Sequence, residues 1–200
     1  MPCLITGKNI CECTLKEKLR KLFTEHAVYT KFYITSALSN LPDLSVITSR
    51  LLQNQIDIGN ITKPIIGDEN GNKLTQLLKE HILAAANAIS TVKLQSGTKD
   101  AINKVLANSK LVAEFLSKLS PKLNYDVVLK EFNQHNQYVL DITILHFEGK
   151  YEQEIKMYDA YYNHMLMFSD LLNSALSKQT GGSYYDKYKK YKIKYKKLKL

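Results

Sequence analysis

Hydrophobic positions recur along this chain at alternating steps of four and three, the spacing of one face of an α-helix. The first stripe reads Leu15, Leu19, Leu22, His26, Tyr29 and Tyr33, and Thr14-Leu15-Lys16-Glu17 ahead of it forms a capping box. There the Thr hydroxyl and Glu carboxylate take up backbone N–H groups that a helix start leaves unpaired, so the first helix is expected to begin at that point. The second helix, about 42–63, presents Leu44, Ile47, Leu51, Asn54, Ile58 and Ile61. The third, about 72–94, presents Leu74, Leu77, His81, Ala85, Ala88 and Val92, and the fourth, about 99–119, Ala101, Val105, Asn108, Val112, Phe115 and Leu119. The fifth gives Val128, Phe132, His135, Val139 and Ile142, and the sixth Met157, Tyr161, His164, Phe168, Leu171 and Ala175.

Pro42, Pro64, Pro121 and the glycine-containing stretches 64–71, 95–98 and 148–150 separate these pieces. A period of two never persists, which argues against strands. The predicted class is all-α: an up-and-down bundle of five or six antiparallel helices over 14–178, preceded by an arm at 1–13 and followed by a joint and tail at 179–200.

Each stripe is interrupted once near its midpoint by a polar residue: His26, Asn54, His81, Asn108, His135 and His164. Rise per residue is constant along a helix, so antiparallel helices of similar length bring their midpoints to one depth. The expectation is a central polar layer, which must be either a satisfied hydrogen-bond network or a ligand site, because buried polar groups are costly unless partnered. As metal ligands, His26, His81, His135 and His164 suit copper or zinc better than magnesium or calcium, and a haem is the other cofactor such a layer can ligate. The Glu-x-x-His pairs of a di-iron bundle do not occur, nor does His-Glu-x-x-His. Glu25 and Glu80 are turned about 100° from their neighbouring histidines, toward the flank of the bundle. His146, near Gly149, reads as a surface or helix C-terminal residue. The stretch 67–72 lacks the spacing of a phosphate or calcium loop and reads as a turn before the third helix.

The chain has 200 residues, 44% of them hydrophobic, with 28 basic against 19 acidic side chains and a net charge of +9. This is a globular composition with an anionic partner implied, and it excludes collagen-like or wholly disordered classes. Ser183 to Leu200 holds eight lysines and one aspartate, a net +7. After the joint at Gly181-Gly182-Ser183, Tyr184, Tyr188, Tyr191, Tyr195 and Leu198 recur at four, three, four and three among those lysines. Lys187, Lys189, Lys190, Lys192, Lys194, Lys196, Lys197 and Lys199 can neutralise phosphates, while Tyr188, Tyr191 and Tyr195 can stack on exposed bases. An anionic membrane, a partner helix or a simple solubilising role are the other readings of this tail. Cys3, Cys11 and Cys13 are crowded into the arm, where free thiols in a reducing compartment are expected rather than a disulfide framework. No leader and no membrane-spanning run is read from the sequence. No catalytic motif is found, so a non-enzymatic protein is expected.

The run from Gly181 to Lys199 closely resembles a Tyr/Lys-rich C-terminal extension of otherwise unrelated proteins of mimivirus-like giant DNA viruses. That resemblance implies a viral protein packaged in the particle and present in the host cytoplasm, at the viral factory. The core, through Asn54-Gln55-Ile56-Asp57-Ile58-Gly59-Asn60, Gly71-Asn72-Lys73-Leu74-Thr75, Leu77-Leu78-Lys79-Glu80-His81-Ile82 and Tyr158-Asp159, resembles an uncharacterised family of small all-helical, mainly bacterial proteins. The resemblance implies a helical bundle and the four stripe histidines, with no established activity. Tyr162 stands where that family often has a second histidine beside the position of His164.

Overall fold

A computed structural model describes residues 14–177. They form six α-helices: α1 (Leu15–Ser39), α2 (Leu44–Ile66), α3 (Asp68–Leu94), α4 (Thr98–Leu119), α5 (Tyr125–Phe147) and α6 (Tyr151–Leu176). The expected all-α bundle is what the chain builds. Among the described residues no helix is long and apolar enough to cross a membrane.

Local chemistry fixes most helix ends. At α1 the Thr14 N–H donates to the Glu17 carboxylate at 2.7 Å and the Glu17 N–H donates to the Thr14 hydroxyl at 3.3 Å, the capping box read from the sequence. These bonds hold the Glu17 carboxyl below its ordinary value. Asn124 caps α5 by accepting from the Asp126 and Val127 N–H groups. Gly97 and Gly149 turn the chain at φ of 72° and 71°, values that favour glycine.

The second connection differs from expectation. Pro64 lies inside the last turn of α2, and α3 starts at Asp68, so Asp68 to Asn72 belong to a helix rather than to a turn. Gly67, at φ 85°, is the whole connection. Its N–H bonds the Lys63 carbonyl and closes α2, while Asp68 and Glu69 place negative charge in the first turn of α3, where the helix dipole favours it. So tight a joint forces α2 and α3 together. A Cβ on Gly59 would fall 1.9 Å from the Thr75 hydroxyl and 2.8 Å from the Gly71 carbonyl oxygen, and one on Gly71 would meet Lys63 Cγ at 2.4 Å.

Each helix packs on the next, and α6 returns to α1, closing a ring. The odd-numbered helices α1, α3 and α5 also touch one another across the middle, with α2, α4 and α6 in the grooves between them. Up-and-down order makes the three inner helices parallel and puts the start of α1 and the end of α6 at the same end of the bundle. The core runs along the axis in layers. Leu19, Leu74 and Val128, seven residues before the inner histidines, are all buried, and so are Tyr33, Ala88 and Ile142, seven residues after.

His146 is correctly placed in the last turn of α5, but it is not a surface residue. Its side chain is 11% exposed, and Nδ1 lies 2.9 Å from the buried Glu154 carboxylate of α6, which also takes the Lys31 ammonium of α1. One carboxylate thus ties three helices together at the end of the bundle opposite the start of α1 and the end of α6, a partner the sequence spacing does not reveal.

Candidate functional site

Three imidazoles meet where the inner helices touch. His26 of α1, His81 of α3 and His135 of α5 stand with ring centres 5.6 Å apart for the first and third and 5.7 Å for the second and third. His26, His81 and His164 are buried; His135 is intermediate in exposure, but its ring is walled by His26, His81, Phe132 and Tyr161.

The outer helices hold this layer by a repeated device. Asn54 Nδ2 donates to the Leu22 carbonyl at 2.9 Å, and Asn108 Nδ2 donates to the Leu77 carbonyl at 3.2 Å. Leu22 and Leu77 each stand four residues before an inner histidine. In the third hairpin His164 takes the equivalent place and reaches the Glu131 carbonyl, again four residues before His135. The inner histidines recur after 55 and 54 residues, and the outer residues Asn54, Asn108 and His164 after 54 and 56. The bundle is therefore three copies of one hairpin about a central axis, a periodicity present in the sequence but hidden when each stripe is read alone.

Each inner histidine finds a partner through Nδ1. His81 Nδ1 is 2.9 Å from Asn108 Oδ1, and His26 Nδ1 is 3.1 Å from Gln55 Nε2, which also donates to Asn54 Oδ1. His135 Nδ1 lies 3.2 Å from the Met165 sulfur. At His81 the asparagine orientation decides the tautomer: with Nδ2 committed to a backbone carbonyl, Oδ1 can only accept, so the imidazole proton sits on Nδ1, whereas at His26 the Gln55 amide can only donate, so Nδ1 accepts and the proton sits on Nε2. The His81 Nε2 is buried without a hydrogen-bond partner.

Burial is the main cause that pushes His26 and His81 down to about 4, and it takes His135 well below the usual histidine range, helped by its three histidine neighbours. His164 is lowered by burial too, against the opposing pull of Glu131, whose carboxylate is 3.5 Å from its Nδ1. The whole layer is neutral at pH 7. A cavity of about 40 Å³ adjoins it on the side of the start of α1, touching all four histidines between walls formed chiefly by Phe23, Phe132 and Phe168.

The expected layer thus forms from His26, His81 and His135, with His164 at its edge against Glu131 and the Tyr138 ring. Glu25 does sit on the flank, where it pairs with Arg50 at 2.8 Å, and Glu80 is exposed. Among the described residues no three His, Cys, Asp or Glu side chains place their donors for an ion as they stand. Gln55 and Met165 belong to the site and were not signalled by the stripes, each being one residue after an outer layer position, whereas Tyr161 stands on the sixth stripe. The Tyr161 ring packs on His135 at 5.4 Å, and burial raises its hydroxyl. The tail residues from Lys187 to Lys199 and the cysteines of the arm lie outside the described residues.

No family model matches this chain, and neither a curated protein nor a solved structure does.

Proposed function

We propose that this is a non-enzymatic protein whose helical bundle carries a nucleic-acid-binding tail, packaged in the particle of a giant virus and working there and in the viral factory. The observation that carries the reading is the placement of charge: residues 183–200 hold +7 of the net +9. Charge so concentrated serves phosphate neutralisation, and counterion release makes such contacts the dominant source of non-specific affinity. Tyrosines at four, three and four add faces on which unpaired bases stack. The likeness of the tail to giant-virus extensions supports the same setting.

The bundle supplies a stable carrier. Leu172, Ala175 and Leu176, near the end of α6, are buried in its core. The test is retention on single- and double-stranded DNA at low ionic strength by the full chain and by a form lacking Ser183 to Leu200. The full chain should be held and the shortened form released. Equal retention of both would overturn the reading. Replacing Tyr188, Tyr191 and Tyr195 with Leu separates partners: single-strand binding should weaken, whereas a membrane-directed tail would bind anionic vesicles more tightly.

A further inference from the structure

The threefold repeat is broken at one groove. Where α3, α4 and α5 meet, a cavity of about 130 Å³ is bordered by Ala88, Val105, Leu106, Val139 and Thr143. The repeat offsets of the histidine layer carry these positions onto the groove between α1, α2 and α3, where Tyr33, Leu51 and Ile89 replace Ala88, Val105 and Thr143. There the cavity measures about 20 Å³. In the third hairpin Ile142 and Tyr161 take the places of Ala88 and Val105, and both are buried. Side-chain size accounts for the difference: Ala88 lacks the phenol ring that Tyr33 brings to the first groove, and Val105 is smaller than either counterpart.

We propose that this cavity binds a small neutral aromatic molecule of the phenol class, with its ring among the apolar side chains and its hydroxyl at the Gln137 amide on the rim. Size is the first support. An apolar protein cavity of about 150 Å³ takes up benzene, so about 130 Å³ admits one six-membered ring and little more. The ring takes the place that Tyr33 fills from within the chain one groove away. Apolar atoms that line an unfilled cavity lack partners, and a ring restores those contacts.

The chemistry of the lining is the second support. No charged side chain borders the cavity, so an ionic ligand would lose its water without compensation. Ala88, Ile89, Val105 and Val139 form a buried apolar floor, whereas the amides of Asn133, Asn136 and Gln137 gather on one side, along α5. Gln137 Nε2 donates to the Asp141 carboxylate at 2.7 Å, and a carboxylate can only accept, so the Gln137 Oε1 is left as an acceptor at the rim. A single hydroxyl donor matches that acceptor.

The test is titration of the full chain with phenol and, separately, with benzene at millimolar concentration, followed through the methyl resonances of the protein. Phenol should shift those of Ala88, Val105 and Leu106 saturably and leave those of Leu19 and Leu123, at the opposite end of the bundle, in place. It should bind about threefold or more tightly than benzene, the worth of one hydrogen bond, and Gln137→Leu should abolish that preference. Ala88→Tyr restores the residue of the first hairpin and should lower the affinity for phenol about tenfold or more. The proposal is overturned if phenol leaves the three resonances unmoved or moves them without saturation, or if folded Ala88→Tyr binds phenol as the natural chain does. Equal affinity for phenol and benzene would overturn the placing of the hydroxyl at Gln137. The methyl readout needs no variant, so it decides the matter even if Ala88→Tyr fails to fold.

Discussion

Asn108 grips His81 and its helix together: Oδ1 lies 2.9 Å from the imidazole Nδ1, and Nδ2 donates at 3.2 Å to the carbonyl of Leu77, one turn earlier on α3. Asn54 holds the Leu22 carbonyl in the same way and reaches His26 through Gln55, and the third hairpin puts His164 in that position. Side chains that satisfy a histidine and a backbone carbonyl at once fix both the register and the rotation of one helix against the next.

Asn108→Leu should therefore leave two buried polar groups unpaired and cost about 2–6 kcal/mol, since each such group costs about 1–3 kcal/mol. Urea unfolding measures it. His164→Asn restores the residue found in the other two hairpins and should cost clearly less than His164→Leu. Equal losses from the two His164 variants would contradict the repeat.

The neutral imidazoles make stability depend on pH in a stated direction. Burial lowers His26 and His81 from about 6.5 when unfolded to about 4 when folded. Between those values the unfolded chain binds protons that the folded chain does not, so stability is full above about pH 6.5 and is lost as pH falls toward 4. The slope is about 1.4 kcal/mol per pH unit for each histidine, with His135 and His164 acting in the same sense. Urea midpoints at pH 7.5, 6 and 5 should fall steadily, and a flat profile over this interval would contradict a neutral buried layer.

Gly59→Ala should force α2 and α3 apart, because the added carbon would overlap the Thr75 hydroxyl and crowd the Gly71 carbonyl. Although alanine favours helices, a net loss of about 1–3 kcal/mol is expected from overpacking. Thr75→Ser does not remove the clash, whereas Thr75→Ala in the same chain should recover part of the loss. Denaturant midpoints of the single and double variants check both statements.

How far these features were legible in the sequence depended on range. Periodicity of four and three gave the six helices, and the capping box placed the start of α1, because both are governed by neighbours within a turn. The shared depth of His26, His81 and His135 followed from constant helical rise. The 67–72 stretch misled because its Gly and Asn residues carry turn chemistry, while the close approach of Gly59 and Gly71 that makes it helical is a contact between helices. His146 misled for a similar reason, since Glu154 and Lys31 come from other helices. The partners of Nδ1 were hidden too: Gln55 and Met165 sit one residue beyond the stripe positions and enter only when helix rotation is known.

Removing Ser183 to Leu200 should leave the thermal midpoint nearly unchanged, because the buried stripe of α6 already ends with Ala175 and Leu176. A loss of several degrees would show that the tyrosine seam contributes to the folded core.

The most direct test of the proposed function is the salt dependence of duplex DNA binding by the full chain. Each phosphate contact contributes about −0.9 to the slope of log affinity against log salt, so engagement of five or more of the tail lysines predicts a slope steeper than about −4, with weak sequence preference. The form lacking the tail should bind at least tenfold more weakly with a slope near zero. A slope shallower than about −2 for the full chain, or the same slope in both forms, would contradict the account.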